Sequence, residues 1–172
     1  KLSPSPLTIR IEAADGRLVQ QLRVDAQTGA LTFQIGDKPV LAFGQGGPQF
    51  DRRGETYTNR NGQGGYKLRT HGGRVPVQWL IGTGGWAMFV HHPYGAFDLT
   101  GAEGKLTPRV PDRPESSVAG ALAGSEQGAL PLDVFIVAAR EPAQVMAEYA
   151  RLTGKPELPP LWSFGYLQSH RT

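Results

Sequence analysis

The sequence predicts a mainly β protein, an antiparallel two-sheet β-sandwich with one helix toward its carboxyl end, and three observations point there. Short apolar runs alternate with polar residues at a period of two, as strands with one buried face require. Glycine, proline, aspartate and asparagine separate these runs at intervals that suit hairpins. A helical spacing of four and three occurs at Val145, Tyr149 and Leu152, with Met146 widening the stripe.

Taken in order, Leu7, Ile9 and Ile11 alternate with polar neighbours, and Asp15-Gly16 gives a hairpin signal into residues 18–24. Thr28-Gly29 turns the chain into Leu31, Phe33 and Ile35, and Gly36-Asp37-Lys38 turns it into residues 40–43. These strands read as one antiparallel meander, apolar on one face and wet on the other. After a long interruption, residues 66–69 read as a strand, and Val75, Val77, Trp79 and Ile81 are expected to share a face. The turn from Gly82 to Gly85 leads into Trp86, Met88 and Val90, and residues 96–99 complete the run. Trp79 and Trp86 fall at inward-looking positions and read as core. A short strand is expected at 118–122 within the weakly patterned stretch 101–128. Residues 130–138 are apolar on both faces apart from Asp133, which predicts a central strand with a lone carboxylate paired to an arginine or set at a sheet margin.

The helix is bounded by Pro142, whose missing N–H costs nothing in a first turn, and by Gly154 with Pro156 at its end. Residues 161–168 then alternate Trp162, Phe164 and Tyr166 with Ser163 and Gly165, which predicts a strand. A strand this aromatic needs neighbours to cover it, or it pairs with another copy of the chain. We therefore expect a sandwich at 1–140, a linker helix and Pro-rich connection at 141–160, and the opening strand of a further, truncated domain at 161–172.

Residues 44–65 break the pattern. The stretch GQGGPQFDRRGETYTNRNGQGG has no hydrophobic period and exceeds the ~12 to 15 residues that structureless connections usually stay under. Phe50 and Tyr57 sit in it among Asp51, Arg52, Arg53, Asn59, Arg60 and Asn61, a composition for a held-down surface loop or a functional one. The basic excess that begins here reads mainly as solvated or salt-bridged charge, with substrate or interdomain contacts as the other reading.

Composition excludes several classes. The 172 residues are 39% hydrophobic and 19% charged, an ordinary globular balance with room for one good core. A formal charge of +3 is too slight to suggest nucleic acid, and no apolar run reaches the ~18 residues that span a membrane. There is no cysteine, hence no disulfide, which leaves the compartment open. The start at Lys1-Leu2 is compatible with a removed leader, and a periplasmic or secreted location is favoured. His91 and His92 are adjacent in a strand and point to opposite faces, a poor arrangement for chelating one metal ion. No phosphate loop, dinucleotide fingerprint or Ser/His/Asp order occurs, and no cofactor is expected.

The run LTGKPELPPLWSFGY followed by QSHR resembles glycoside hydrolase family 31, the retaining α-glucosidases and α-xylosidases, where that segment joins an amino-terminal sandwich to a catalytic (β/α)8 barrel. The pattern GGRVPVQWLIGTGGWAMFVHHPYGAFDLTG resembles the family sandwich, and the resemblance implies a galactose mutarotase-like supersandwich. It implies that residues 161–168 are barrel strand one, and that the Gly-rich loop projects over the barrel mouth. Family members end that loop in Asn-Arg-Asp or Thr-Arg-Asp, and the Asp contacts sugar. Here the run is Asn59-Arg60-Asn61-Gly62, so an amide that both donates and accepts replaces the carboxylate. The resemblance makes Arg60, Asn61, Gln168 and Arg171 candidate substrate-binding residues. An α-linked oligosaccharide or glycoside and the chain's own catalytic barrel are the implied partners.

Retaining hydrolysis needs two carboxyl groups about 5 to 5.5 Å apart. In family 31 both are aspartates of later barrel strands, and none of Asp15, Asp25, Asp37, Asp51, Asp98, Asp112 or Asp133 stands in a matching motif. The chain alone is therefore expected to be inactive. A free-standing carbohydrate-binding sandwich, with Trp79, Trp86 or Tyr94 stacked on sugar, and a structural interaction domain are the alternative readings.

Overall fold

The computed structural model describes residues 1–46, 49–58, 75–92, 95–108 and 133–165. Among them are eleven strands, β1 (Leu2–Pro4), β2 (Leu7–Glu12), β3 (Leu18–Val24), β4 (Leu31–Gln34), β5 (Val40–Ala42), β6 (Thr56–Thr58), β7 (Trp79–Gly82), β8 (Trp86–His91), β9 (Ala96–Asp98), β10 (Glu103–Thr107) and β11 (Asp133–Val137). They form two antiparallel sheets, ordered β1-β2-β3-β4-β10-β9-β6 and β11-β8-β7-β5. This is the expected sandwich.

Its opening hairpins follow from local turn chemistry. Gly16, Gly29 and Gly36 adopt φ of +83°, +68° and +71°, the left-handed backbone that glycine takes without a Cβ clash. At the second turn the Asp25 carboxylate accepts from the backbone N–H groups of Gln27 and Thr28, and those bonds hold its pKa below the ordinary range. The meander runs through β2, β3 and β4 and stops there. Contrary to expectation, β5 crosses to the second sheet and pairs with β7, Val40 opposite Gly82 and Ala42 opposite Leu80. The turn at Gly36 frees the chain to change layers, and Val40 is fully buried between them.

Between the sheets lies one core. The first sheet contributes Val19, Leu22, Leu31, Phe33, Tyr57, Phe97 and Leu106, and the second Val40, Leu80, Trp86, Met88 and Val90. Phe33 meets Trp86 and Phe97 edge-on at 6.4 Å, a geometry that aromatic quadrupoles favour. A smaller cluster on the outer face of the second sheet gathers Trp79, Ala87, Ala139 and Val145. It is covered by helix α1 (Pro142–Thr153), which ends at Gly154 as expected.

This second cluster bears on residues 130–138, expected to form a central strand. Their described part, β11, pairs with β8 and has no neighbour on its other side among the described residues. It is apolar on both faces because Val134 and Ile136 pack on the inter-sheet core while Val137 packs on the cluster beneath the helix. The helix covers the outer face of the sheet there.

The tail differs too. Residues 161–164 form a 3-10 turn, not a strand, with Ser163 N–H donating to Pro160 O and Gly165 N–H to Trp162 O. Alternation alone provides no partner for a strand, and a short i→i+3 turn satisfies these backbone groups locally. Leu158, Leu161, Trp162 and Phe164 are 92%, 88%, 75% and 68% exposed. The expected strands at 66–69 and 118–122 lie outside the described residues.

Candidate functional site

One end of the sandwich gathers the long connections, and register shows it. Thr58, the last residue of β6, pairs with Ala96 at the start of β9, and Ala96 pairs with Thr107 at the close of β10. In the other sheet His91 at the close of β8 pairs with Asp133 at the start of β11. The chain therefore enters 59–74, crosses 93–94 and spans 109–132 from that end. Val75, where it resumes, bridges Gln45 just beyond β5. Gly95 lies against the Thr107 carbonyl and Gly44 against those of Val75 and Pro76, approaches too close for any Cβ.

Helix α1 returns the chain to the same end. Just before the helix, the Arg140 stem lies over the Gly85 turn at the opposite end, whereas Tyr149 sets its ring 4.9 Å from Trp79 and 6.1 Å from Phe89, near the loop-bearing end. Twelve residues at ~1.5 Å rise cover roughly 18 Å, the length of β8. The exposed linker leaves from there.

A strap at residues 49–55 seals one flank. Val40 N–H donates to Asp51 Oδ1 (3.0 Å), Arg52 N–H donates to Val40 O, and Gly54 N–H donates to Leu99 O (2.8 Å). The strap thus ties β5 of one sheet to the residue after β9 of the other. Arg53 grips the Asp51 carboxylate with Nε and Nη2, the latter at 2.7 Å. That guanidinium, then the Val40 and Arg53 backbone N–H groups, outweigh burial and hold the Asp51 pKa at about 2. The salt-bridged reading of the loop charge holds for this pair.

Arg52 does something the sequence does not announce. Its side chain is buried inside the flank, only 8% of the residue being exposed, with Nε donating to Ala42 O at 2.9 Å and the guanidinium 5.5 Å from the Tyr57 ring centre. Nη1 is buried without a hydrogen-bond partner among the described residues. The carbonyl it holds belongs to a left-handed stretch, Ala42, Phe43 and Gly44 at φ +85°, +65° and +73°. Two non-glycine residues in that region are strained, and such strain persists only where the surroundings impose it.

Of the candidate binding residues, Arg60, Asn61, Gln168 and Arg171 all lie outside the described residues, as does Tyr94. The structure describes the strand ends flanking 59–74, and Arg60 and Asn61 are the second and third residues after Thr58. His91 is exposed and lies 3.6 Å from Asp133, while His92 is buried, so the two histidines do face apart. Asp133 opens its strand at a sheet margin and meets this histidine, not an arginine. No group of three metal-ligating side chains occurs among the described residues. Asp25, Asp51 and Asp98 are each engaged in turn or strap hydrogen bonds. Trp79 and Trp86, 4% and 7% exposed, are core residues and offer no platform for stacking on sugar.

No protein-family model matches the chain. An alpha-xylosidase of Emericella nidulans is 25% identical over 135 residues, 78% of this chain and 15% of that protein. The fold matches a solved Kfla1895 variant in complex with cyclobis-(1→6)-α-nigerosyl at a TM-score of 0.55 and 20% identity, over 91% of this chain and 22% of that one. The chain resembles an amino-terminal domain of glycoside hydrolase family 31. A cycloalternan-degrading enzyme from Trueperella pyogenes shares the fold at a TM-score of 0.52 and 15% identity, over 92% of this chain and 27% of its own. The chain thus spans about a quarter or less of the glycoside hydrolases it matches.

Proposed function

We propose that the chain is the amino-terminal sandwich of a retaining α-glycosidase of the α-glucosidase or α-xylosidase type, shaping the substrate pocket of a catalytic barrel on which it docks. The observation that carries this reading is that the strand ends opening 59–74 and 109–132 lie at the end of the sandwich to which α1 returns the chain. A barrel following the linker would stand where those segments begin. The alpha-xylosidase relative and the bound α-nigerosyl saccharide of a fold neighbour support an α-linked oligosaccharide or glycoside as substrate. In this reading Arg60 and Asn61 bind sugar from the loop, and Gln168 and Arg171 line the barrel mouth. Acid and nucleophile come from the barrel, so the chain alone turns over nothing.

The test is kinetic. In the full-length enzyme, Arg60→Ala and Asn61→Ala should each lower kcat/KM on aryl α-glucosides or α-xylosides roughly two- to tenfold, the loss of one substrate hydrogen bond. Unchanged kinetics for both would remove the loop from the pocket. Turnover by the chain alone, co-eluting with it through chromatography, would remove the assignment of the chemistry to the barrel.

A further inference from the structure

A buried guanidinium with one nitrogen unmet is a poor device for stability. Arginine is almost never fully buried unless paired, and Asp51, the nearest acid in sequence, is taken by Arg53. Replacing such a charge by an apolar side chain of similar length is often neutral or stabilising. What Arg52 holds is more specific than the flank as a whole. Its Nε fixes the carbonyl of Ala42, from which the left-handed stretch leads to Gln45 and its bridge to Val75. Its guanidinium covers Tyr57, the residue before Thr58. The Phe43 ring, inside that stretch, stacks on Tyr57 at 5.1 Å. Arg52 therefore holds the residue before Thr58 and the carbonyl from which the chain runs three residues on to Gln45 and its bridge to Val75, whereas Arg53 binds Asp51 and the Asp37 carbonyl.

We propose that Arg52 is a positioning residue for substrate binding, fixing the separation and direction of the Thr58 and Gln45–Val75 ends rather than stabilising the domain. The inference rests on the reading that the segment between those ends contributes to the pocket.

The experiment compares Arg52→Met, Arg52→Lys and Arg53→Ala in the full-length enzyme, following Tm together with kcat and KM on an aryl α-glucoside and an aryl α-xyloside. Arg52→Met should leave Tm within about 3 °C of the parent, since a lost hydrogen bond and a removed buried charge offset one another. Its kcat/KM should fall roughly three- to tenfold, mostly in KM, as expected for lost substrate positioning. Arg52→Lys keeps the charge without the planar contact and should show a partial fall; should the Met variant not fold, this variant carries the comparison. Arg53→Ala should lower Tm and leave KM unchanged. Unchanged kinetics for the Arg52 variants would overturn the inference, as would a fall that Arg53→Ala reproduces at equal loss of Tm. If Arg60→Ala and Asn61→Ala are silent as well, the pocket reading fails and takes this inference with it; if those two respond and Arg52 does not, positioning alone is wrong.

Discussion

Gln20 is fully buried in β3, and its removal tests how the first sheet is held beyond its regular ladder. The β3–β4 pairing runs from Val24 opposite Leu31 to Leu22 opposite Phe33. Past that point the Gln20 side chain takes over. Its Nε2 donates to Gln34 O at 2.9 Å, and its Oε1 accepts from the N–H groups of Gln34 (2.8 Å) and Gln21 (2.9 Å). Gln20→Leu keeps the volume and removes all three bonds. Leaving buried backbone groups unmet costs about 1–3 kcal/mol each. The leucine returns ~1–2 kcal/mol of apolar burial, and relaxation rescues part of the rest, so we expect a net loss of roughly 2–4 kcal/mol. With a urea m-value near ~2 kcal/mol/M, the unfolding midpoint of the chain should fall by about 1–2 M at constant m. A midpoint within ~0.3 M of the parent would show that Gln34 pairs elsewhere and that the amide is not part of the ladder.

Three further outcomes follow from packing and charge. Gly104→Ala would drive a Cβ into the Phe33 ring and the Ile35 methyl, so thermal unfolding should show a loss of about 1–3 kcal/mol from overpacking. Asp51 is depressed to about 2 in the fold, so its contribution is complete above its ordinary pKa of 3.8 and fades as pH falls from there toward 2. Asp51→Asn should accordingly lower Tm at pH 7 and make much less difference near pH 2. Deleting residues 161–172 should leave the Tm of the chain unchanged and raise its solubility, because Leu161, Trp162 and Phe164 are largely exposed; a deletion that unfolds the sandwich would place the tail in its core.

Where the physics is local, it can be read without coordinates. Asp15-Gly16, Thr28-Gly29 and Gly36 define their turns by what glycine and Asx residues do within four positions, and Pro142 and Gly154 bound the helix in the same way. Pairing between distant segments is another matter. β5 resembles one more hairpin strand until its partner appears some forty residues later, at Leu80–Gly82. The double apolar face of β11 looks the same whether the second cover is a strand or a helix. The aromatic alternation at Trp162 and Phe164 is a strand pattern only where another strand exists to receive it. As for the site, the interruption after Gly44 reads as either a held-down loop or a functional one, and its described residues 49–55 form a strap. Arg52 was hidden because neighbouring arginines look alike in sequence; only the fold sends one to a carboxylate and the other beneath a tyrosine.

The strap also gives the molecule a direction. Because residues 49–55 bind the outer backbone groups of Val40 and the Ala42 carbonyl, and tie them to Leu99 of the other layer, the β5 margin offers little open ladder to a passing strand. At the far margins, β1 ends the larger sheet and β11 the smaller, neither bonded to a further strand among the described residues. Among the described residues, β1 and β11 are therefore margins at which an added strand would find backbone groups to pair with, and charged residues introduced along β11 would disfavour pairing there without touching the strap.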